Sequence, residues 1–270
     1  VSLLVLSLMA CASSVPFAEP VEPPCEGCLL ELRGADEPLV VVLHGDEGTP
    51  QKVFAAWRPH TSVSVFAPRC PRSLGCQGSW WRADPEFRWL VREVRQVEDA
   101  SDELFGQRPR QVLLSAWSGG ATYAGGPADE WSPTFLAVTL AGGGASAPGG
   151  RCAETPLPVH YLIGERNPLF HLAESTKAYL DDCGHEVTWL PLAGADHSAA
   201  WRHYVAAIPT IANWLGEHAT RPPPPEPAVQ PTGEPASTAT GAPPPRTLDD
   251  EETPVPPPFP AREVSPPSRR

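Results

Sequence analysis

The chain has 270 residues, 36 of them proline, and a formal net charge of −12 at pH 7. About a third of residues 221–270 are proline and Phe259 is their only aromatic residue, so this segment cannot bury enough apolar surface to offset the entropy of folding. We therefore expect one folded domain over residues 25–218, a linker over 12–24 and a disordered proline-rich tail over 219–270. The acidic charge without a basic stripe argues against nucleic acid as a partner and mildly disfavours anionic substrates.

The first residues have the features of an export signal. Residues 1–9 form an apolar run that is too short to span a bilayer, and residues 8–11 (LMAC) resemble a bacterial lipobox. This pattern predicts a signal peptide over residues 1–11 and lipid attachment at Cys11. The protein would then lie at the bacterial cell envelope and contact the membrane through this anchor alone. An ordinary cleaved signal, with a periplasmic or secreted protein, is the alternative.

Six cysteines remain after Cys11, and an even number is expected of an exported protein with disulfides. The pairs that we favour are Cys70–Cys76, Cys152–Cys183 and, as the remainder, Cys25–Cys28. A redox site at the CxxC motif would need a strand before it and a helix after it, whereas this motif precedes a strand. A zinc site built from the four cysteines between residues 25 and 76 is disfavoured in an oxidising compartment, so no metal is expected.

Predicted strands and helices alternate along the folded part of the chain. The predicted strands are Leu29–Arg33 at an edge, Pro38–His44, Ser62–Ala67, Gln111–Ala116, Thr134–Leu140, Pro158–Ile163 and Glu186–Leu190. The predicted helices are Gln51–Trp57, Asp84–Phe105, Ser118–Gly125, Pro168–Asp182 and Trp201–Leu215, the last with a kink at Pro209. This alternation predicts an α/β fold with a mostly parallel central sheet and helices on both faces.

The candidate nucleophile is Ser118, in the stretch Ala116-Trp117-Ser118-Gly119-Gly120 between a predicted buried strand and a helix. A serine at such a point lies on a tight turn that requires small neighbours. The helix N-terminus and the Gly119 N–H would face an oxygen on which negative charge develops, so Gly119 is a predicted oxyanion-hole donor. The alternatives are a glycine-rich turn with an incidental serine and a phosphate-binding turn.

Two further motifs follow predicted strands. In His44-Gly45-Asp46 the backbone N–H of Asp46 is the predicted second oxyanion-hole donor, whereas the His44 side chain is interpreted as structural. His197 lies between the last strand and the last helix, after the nucleophile in sequence, and is the predicted general base. A solvated loop histidine is the alternative for His197.

His44-Gly45, the Ser118 turn and His197, in this order and spacing, resemble the α/β-hydrolase family over residues 29–216. The similarity is greatest to its small exported esterases, akin to polyhydroxybutyrate-depolymerase-like and feruloyl-esterase-like proteins. This resemblance implies an α/β-hydrolase fold and hydrolysis of a small or polymeric carboxylic ester through an acyl-Ser118 intermediate, with no cofactor. No segment of the sequence has the character of a lid domain.

The position of the catalytic acid departs from the family pattern. An Asp is expected in a G-x-x-D turn after the strand that ends at Ile163, and Asn167 occupies that place. An amide oxygen can orient His197 but cannot stabilise an imidazolium by charge. Glu165 is an alternative acid, and a third possibility is that no acid functions. In that case the protein would be a catalytically weak or inactive hydrolase fold that serves in binding at the envelope.

Nine tryptophans are many for this length, and three of them lie near the motifs. Trp80, Trp81 and Trp117 are candidates for the wall of a substrate pocket. Packing in the core or in an interface is the alternative for these side chains.

Overall fold

The structure is a computed structural model that describes residues 21–60, 62–76, 78, 80, 88–132, 134–145 and 151–219. By its internal contacts the chain divides into residues 1–224 and residues 225–270, and every described residue belongs to the first unit. The predicted signal peptide, Cys11 and the proline-rich tail lie outside the described residues and remain predictions.

Seven strands form one sheet in the order β1-β3-β2-β4-β5-β6-β7. The strands are β1 (Leu29–Glu31), β2 (Leu39–Leu43), β3 (Ser64–Ala67), β4 (Val112–Trp117), β5 (Val138–Ala141), β6 (Pro158–Gly164) and β7 (Glu186–Leu192). Strand β1 is antiparallel to β3, and every other neighbouring pair is parallel. The predicted mostly parallel sheet is confirmed, and the strands β2 to β7 end at one common edge.

Helices cover both faces of the sheet, as predicted. They are α1 (Pro50–Trp57), α2 (Arg88–Phe105), α3 (Gly119–Gly125), α4 (Phe170–Asp182) and α5 (His197–Ala219). Helices α2, α3 and α4 pack into one apolar cluster, whereas α1 and α5 pack into a second cluster on the other face. Side chains of a strand alternate between faces, so Val41 contributes to the first cluster while Val40 and Val42 contribute to the second.

The last helix begins earlier than predicted, at His197 instead of Trp201. Asp196 explains this start, because its Oδ1 accepts the Ala199 N–H at 2.7 Å and its carbonyl oxygen accepts the Ala200 N–H at 2.9 Å. Aspartate is a favoured residue at this capping position. The candidate base is therefore the first residue of a helix and not part of a loop.

Two other boundaries differ from prediction. The predicted strand Thr134–Leu140 begins only at Val138, because Phe135 is buried in a turn in which its N–H bonds to the carbonyl oxygen of Trp131. Helix α5 continues past Pro209 to Ala219. The predicted start of α2 at residue 84 lies outside the described residues.

The structure contains the three disulfides that the sequence favoured. Cys152–Cys183 joins the segment before β6 to the end of α4, whereas Cys25–Cys28 and Cys70–Cys76 close short loops before β1 and after β3. Disulfides are typical of proteins in oxidising compartments. Within the described ranges, no helix is long and apolar enough to cross a membrane.

Candidate active site

Ser118 lies at the turn between β4 and α3, where the parallel strands end. Its backbone has φ 52° and ψ −117°, a region in which a side chain is strained and which is common at functional sites. Glycines make the turn possible: a Cβ on Gly120 would lie 2.6 Å from the His44 carbonyl oxygen, and one on Gly143 would lie 2.2 Å from the Ser118 carbonyl oxygen. The predicted strand-to-helix turn is thus present, and it holds the serine in one orientation.

His197 faces the serine from the first turn of α5. Its Nε2 lies 3.0 Å from Ser118 Oγ, within hydrogen-bonding distance. The imidazole packs against the indole of Trp117, with 5.0 Å between ring centroids. The structure therefore brings the predicted nucleophile and the predicted base together across 79 positions of sequence.

Burial lowers the pKa of His197 below its ordinary value, and the charge of Asp196 opposes part of this shift. The helix N-terminus also disfavours a positive charge at this position, since the backbone N–H groups there carry partial positive charge. The imidazole is consequently neutral at pH 7, with a proton on one ring nitrogen only.

Asn167 contacts the other ring nitrogen. Its Nδ2 lies 3.0 Å from His197 Nδ1 and donates to the Gly142 carbonyl oxygen at 3.1 Å, while its Oδ1 accepts the Leu169 N–H at 3.0 Å. Exchanging the amide oxygen and nitrogen would place oxygen against oxygen at Gly142 and two N–H groups against each other at Leu169. The backbone therefore determines the amide orientation.

This orientation determines the tautomer of the ring. Because Nδ2 donates, His197 Nδ1 must accept, and the single imidazole proton then lies on Nε2. In that state Nε2 donates to Ser118 Oγ instead of accepting its proton. The prediction that the Asn167 amide oxygen would orient an Nδ1–H is corrected here, since that oxygen is engaged by Leu169.

Glu165 lies away from the imidazole. The turn Gly164–Asn167 closes through a bond from the Asn167 N–H to the Gly164 carbonyl oxygen, and it directs Asn167 inward. The exposed carboxylate of Glu165 instead accepts the Gly194 N–H at 3.2 Å. The structure thus does not bring this alternative acid to His197.

The loops that carry the predicted oxyanion-hole residues, Asp46 and Gly119, border Ser118. The sequence did not predict the contact between these two residues. A Cβ on Gly45 would lie 3.0 Å from Ser118 Cβ, so the backbone of the loop after β2 packs closely against the serine. A Cβ on Gly119 would lie 2.0 Å from Asp46 Oδ1, so the Asp46 carboxylate rests on Gly119. That Oδ1 also accepts the Trp80 N–H at 3.3 Å. A carboxylate therefore lies beside Gly119, one of the two predicted oxyanion-hole donors; the acidic residue after His-Gly was its only signal in the sequence.

Two of the three candidate pocket tryptophans, Trp80 and Trp117, are buried side chains. Trp80 is fully buried and its ring lies 5.4 Å from Tyr123 and 4.9 Å from His44, so it belongs to the core and not to an open pocket. Trp117 is also buried and supports the His197 ring. Trp81 lies outside the described residues. No group of three potential ligand side chains that could hold a metal occurs in the part of the chain that the structure describes.

No family model and no curated protein sequence matches the chain. Solved structures do match: a phospholipase/carboxylesterase from Dyadobacter fermentans DSM 18053 has a TM-score of 0.51 at 15% identity, covering 70% of this chain and 99% of that one. The Bacillus cereus carboxylesterase has a TM-score of 0.52 at 14% identity, covering 71% and 93%. YahD, solved with malic acid, has a TM-score of 0.51 at 17% identity, covering 71% and 98%.

At these identities the likeness establishes the architecture. The chain has the α/β-hydrolase fold that the sequence resemblance predicted, and its structural neighbours are phospholipase/carboxylesterase and carboxylesterase structures.

Proposed function

We propose that the protein is a serine hydrolase that cleaves carboxylic esters. The observation that carries this proposal is the 3.0 Å separation of Ser118 Oγ and His197 Nε2 at a strained strand-to-helix turn. In the proposed reaction Ser118 Oγ attacks the ester carbonyl carbon, and its proton passes to His197 Nε2. The same proton leaves with the alcohol, and water then hydrolyses the acyl-Ser118 ester.

The proposed reaction is slow in the native protein. Proton transfer requires an unprotonated Nε2, and the tautomer that provides it would place an Nδ1–H against the Nδ2–H of Asn167. An asparagine in place of the acid of a serine-protease triad lowers kcat by about 10⁴, through the same tautomer change. The backbone N–H groups of Asp46 and Gly119 are proposed to receive the oxyanion.

The experiment that tests the proposal is labelling with a fluorophosphonate, together with hydrolysis of 4-nitrophenyl butyrate. We expect native protein to be labelled and to hydrolyse the ester, and Ser118→Ala to lose both. Ser175→Ala, an exposed serine on α4, is the matched control and retains both. Equal labelling of native protein and Ser118→Ala would contradict the proposed nucleophile.

A second candidate is an inactive hydrolase fold that binds a ligand at the envelope. Two observations favour it: the amide donor on His197 Nδ1 and the Asp46 carboxylate on Gly119. This function predicts that native protein and Ser118→Ala both show only background hydrolysis, while the fold and ligand binding are intact.

We further propose export to the bacterial envelope with a lipid on Cys11. The three disulfides support export, because such bonds persist in oxidising compartments.

A further inference from the structure

A cavity of about 730 Å³ lies beside the loop that follows β2. Its wall includes His44, the start of α1 at Thr49 and Gln51, and the side chains of Arg69 and Arg72. No carboxylate belongs to the wall among the residues that the structure describes. A pocket with this lining presents positive charge in a protein whose net charge is −12.

The two guanidinium groups are available for a ligand. Within the described ranges, neither Arg69 nor Arg72 forms an ion pair, whereas Arg33, Arg58 and Arg108 each do. Both arginines line the same cavity, so this cavity presents two positive charges on an otherwise acidic protein.

Arg69 is held in place by the first disulfide loop. Its backbone N–H donates to Cys28 Sγ at 3.1 Å, and a Cβ on Gly27 would lie 2.8 Å from its Cδ and Nη1. The side chain therefore runs along the bare backbone of Gly27. Burial lowers the pKa of His44; the hydrogen bond with the Gly45 carbonyl oxygen and the charge of Asp46 oppose this shift, and the positive charge of Arg69 adds a smaller lowering.

Arg72 is held by the second disulfide loop. It begins a short 3₁₀ turn, Arg72–Leu74, inside the loop that Cys70–Cys76 closes. Both arginines thus extend from segments whose backbones are braced by disulfides, so little backbone entropy is lost when they bind a ligand.

We propose that this cavity is a subsite for an anionic group of the substrate, a carboxylate or a phosphate, held by Arg69 and Arg72. The guanidinium group presents paired N–H donors that match such oxyanions in charge and shape. Binding there would select esters that carry an acidic group on their acyl or alcohol part. The net charge of the chain predicts that anionic substrates are disfavoured. At this cavity the two arginines would instead attract them.

The cavity adjoins the nucleophile through one loop. Gly45 packs closely against Ser118, and Gly48 lines the cavity. The two glycines are joined by a hydrogen bond of 2.9 Å from the Gly48 N–H to the Gly45 carbonyl oxygen. A half-ester of a dicarboxylic acid carries both an ester carbonyl and an anion, which are the two groups that the proposed nucleophile and the proposed subsite would engage. The substrate role of the subsite rests on the proposed ester hydrolysis, whereas anion binding does not.

The first test measures binding without catalysis. Glutarate and its neutral diamide, glutaramide, are titrated calorimetrically into the native chain, Arg69→Met/Arg72→Met, and the control Arg95→Met/Arg110→Met, whose arginines are exposed elsewhere. We expect glutarate to bind native protein and control alike, and to bind the first double variant at least about tenfold more weakly, since charge-assisted hydrogen bonds are lost. Glutaramide binding is expected not to depend on the arginines.

Arg69→Lys provides a second variant, which keeps the charge but loses the paired donors and should bind glutarate with intermediate affinity. Equal glutarate affinity in native protein and Arg69→Met/Arg72→Met would overturn the subsite. Absence of glutarate binding to the native chain would overturn it as well.

The second test compares hydrolysis of 4-nitrophenyl hydrogen glutarate with that of neutral 4-nitrophenyl butyrate, with Ser118→Ala as the background. We expect Arg69→Met/Arg72→Met to lower kcat/KM about tenfold for the anionic ester and to leave the neutral ester unchanged. An unchanged ratio of the two esters would defeat the substrate role. Arginine-dependent glutarate binding without Ser118-dependent hydrolysis would support the anion site and defeat the proposed ester hydrolysis.

Discussion

At the scale of single residues, one amide decides how the His197 ring is protonated. Asn167 replaces a carboxylate, which would accept a hydrogen bond from Nδ1–H, with an amide that donates a hydrogen bond to Nδ1. The distance to Ser118 is that of a working pair, yet the orientation of the Asn167 amide assigns the ring proton to the nitrogen that faces the serine. The distance between Ser118 and His197 therefore fits proton transfer, whereas the protonation of the His197 ring does not. Substitution of Asn167 tests this difference.

The first prediction is that Asn167→Asp raises kcat for 4-nitrophenyl butyrate. A carboxylate accepts the Nδ1–H and stabilises the imidazolium, so the gain should be at least about tenfold, within the ~10⁴ attributed to this exchange in serine proteases. Asn167→Ala is the control, since it removes the donor without adding charge. A kcat of Asn167→Asp no higher than that of native protein would show that the amide does not limit the reaction, and one no higher than that of Asn167→Ala would show that the added charge contributes nothing.

The second prediction concerns pH. The base acts when neutral, so the rate rises with pH through the pKa of His197, which burial lowers. The acidic limb of kcat/KM should thus lie below the ordinary imidazole value of about 6.5. In Asn167→Asp the added negative charge raises the pKa, so the limb should move to higher pH. A limb above pH 7 in the native protein, or one that does not move, would contradict this assignment.

The third prediction concerns Asp46, whose carboxylate rests on Gly119. Asp46→Asn removes a negative charge beside the developing oxyanion and keeps an oxygen that can accept the Trp80 N–H. Because Asp46 is exposed and its charge is screened, we expect a modest rise in kcat of about tenfold. Glu47→Gln, an exposed neighbour, is the matched control and should leave kcat unchanged. A decrease in Asp46→Asn would mean that the carboxylate assists the reaction.

At the scale of elements, three segments are joined beneath the site by one tyrosine. Tyr204 Oη on α5 accepts the Trp57 Nε1–H from α1 at 2.9 Å and shares a bond of 2.9 Å with Ser115 Oγ on β4. All three groups are buried. This connection holds α5, and with it His197, against the strand that carries Ser118.

The fourth prediction is that Tyr204→Phe lowers the free energy of unfolding by about 1–3 kcal/mol, because the Trp57 N–H and the Ser115 hydroxyl lose a buried partner. Urea unfolding measures this change. Tyr179→Phe, on the less buried face of α4, should have a smaller effect. Equal effects of the two substitutions would show that the connection adds no more stability than a surface bond.

At the scale of the whole molecule, the distribution of charge bears on the selection of the proposed anionic substrate. The chain is acidic overall, while the cavity beside the site contains arginines without ion pairs among the described residues. An acidic body reduces non-specific attraction of anions, so a local basic cavity would confer selectivity instead of general affinity.

The fifth prediction is that the chain carries a lipid at Cys11. Labelled palmitate should enter the native protein in a bacterial host and should not enter Cys11→Ser, while the Ser118 site remains unaffected. Incorporation into both proteins would place the lipid elsewhere, and recovery of the protein in the cytoplasm with reduced cysteines would contradict export.

Features that depend on local patterns could be predicted from the sequence. Alternating apolar runs indicated the strands and helices, because side-chain periodicity reports which face is buried. Small residues around Ser118 indicated the tight turn, and the cysteine spacings favoured Cys70–Cys76 and Cys152–Cys183 without deciding among the possible pairings. The order of Ser118 and His197 along the chain was enough to propose that folding brings them together.

Features that depend on partners distant in sequence could be described only from the folded chain. The Asn167 amide takes its orientation from Gly142 as well as from Leu169, and the contact of Asp46 with Gly119 spans two different strand ends. A sequence names donors and acceptors but does not state which atom meets which, since that depends on how strand ends converge at one edge of the sheet. For this reason Ser118 and His197 were predictable as a pair, whereas the proton position between them was not.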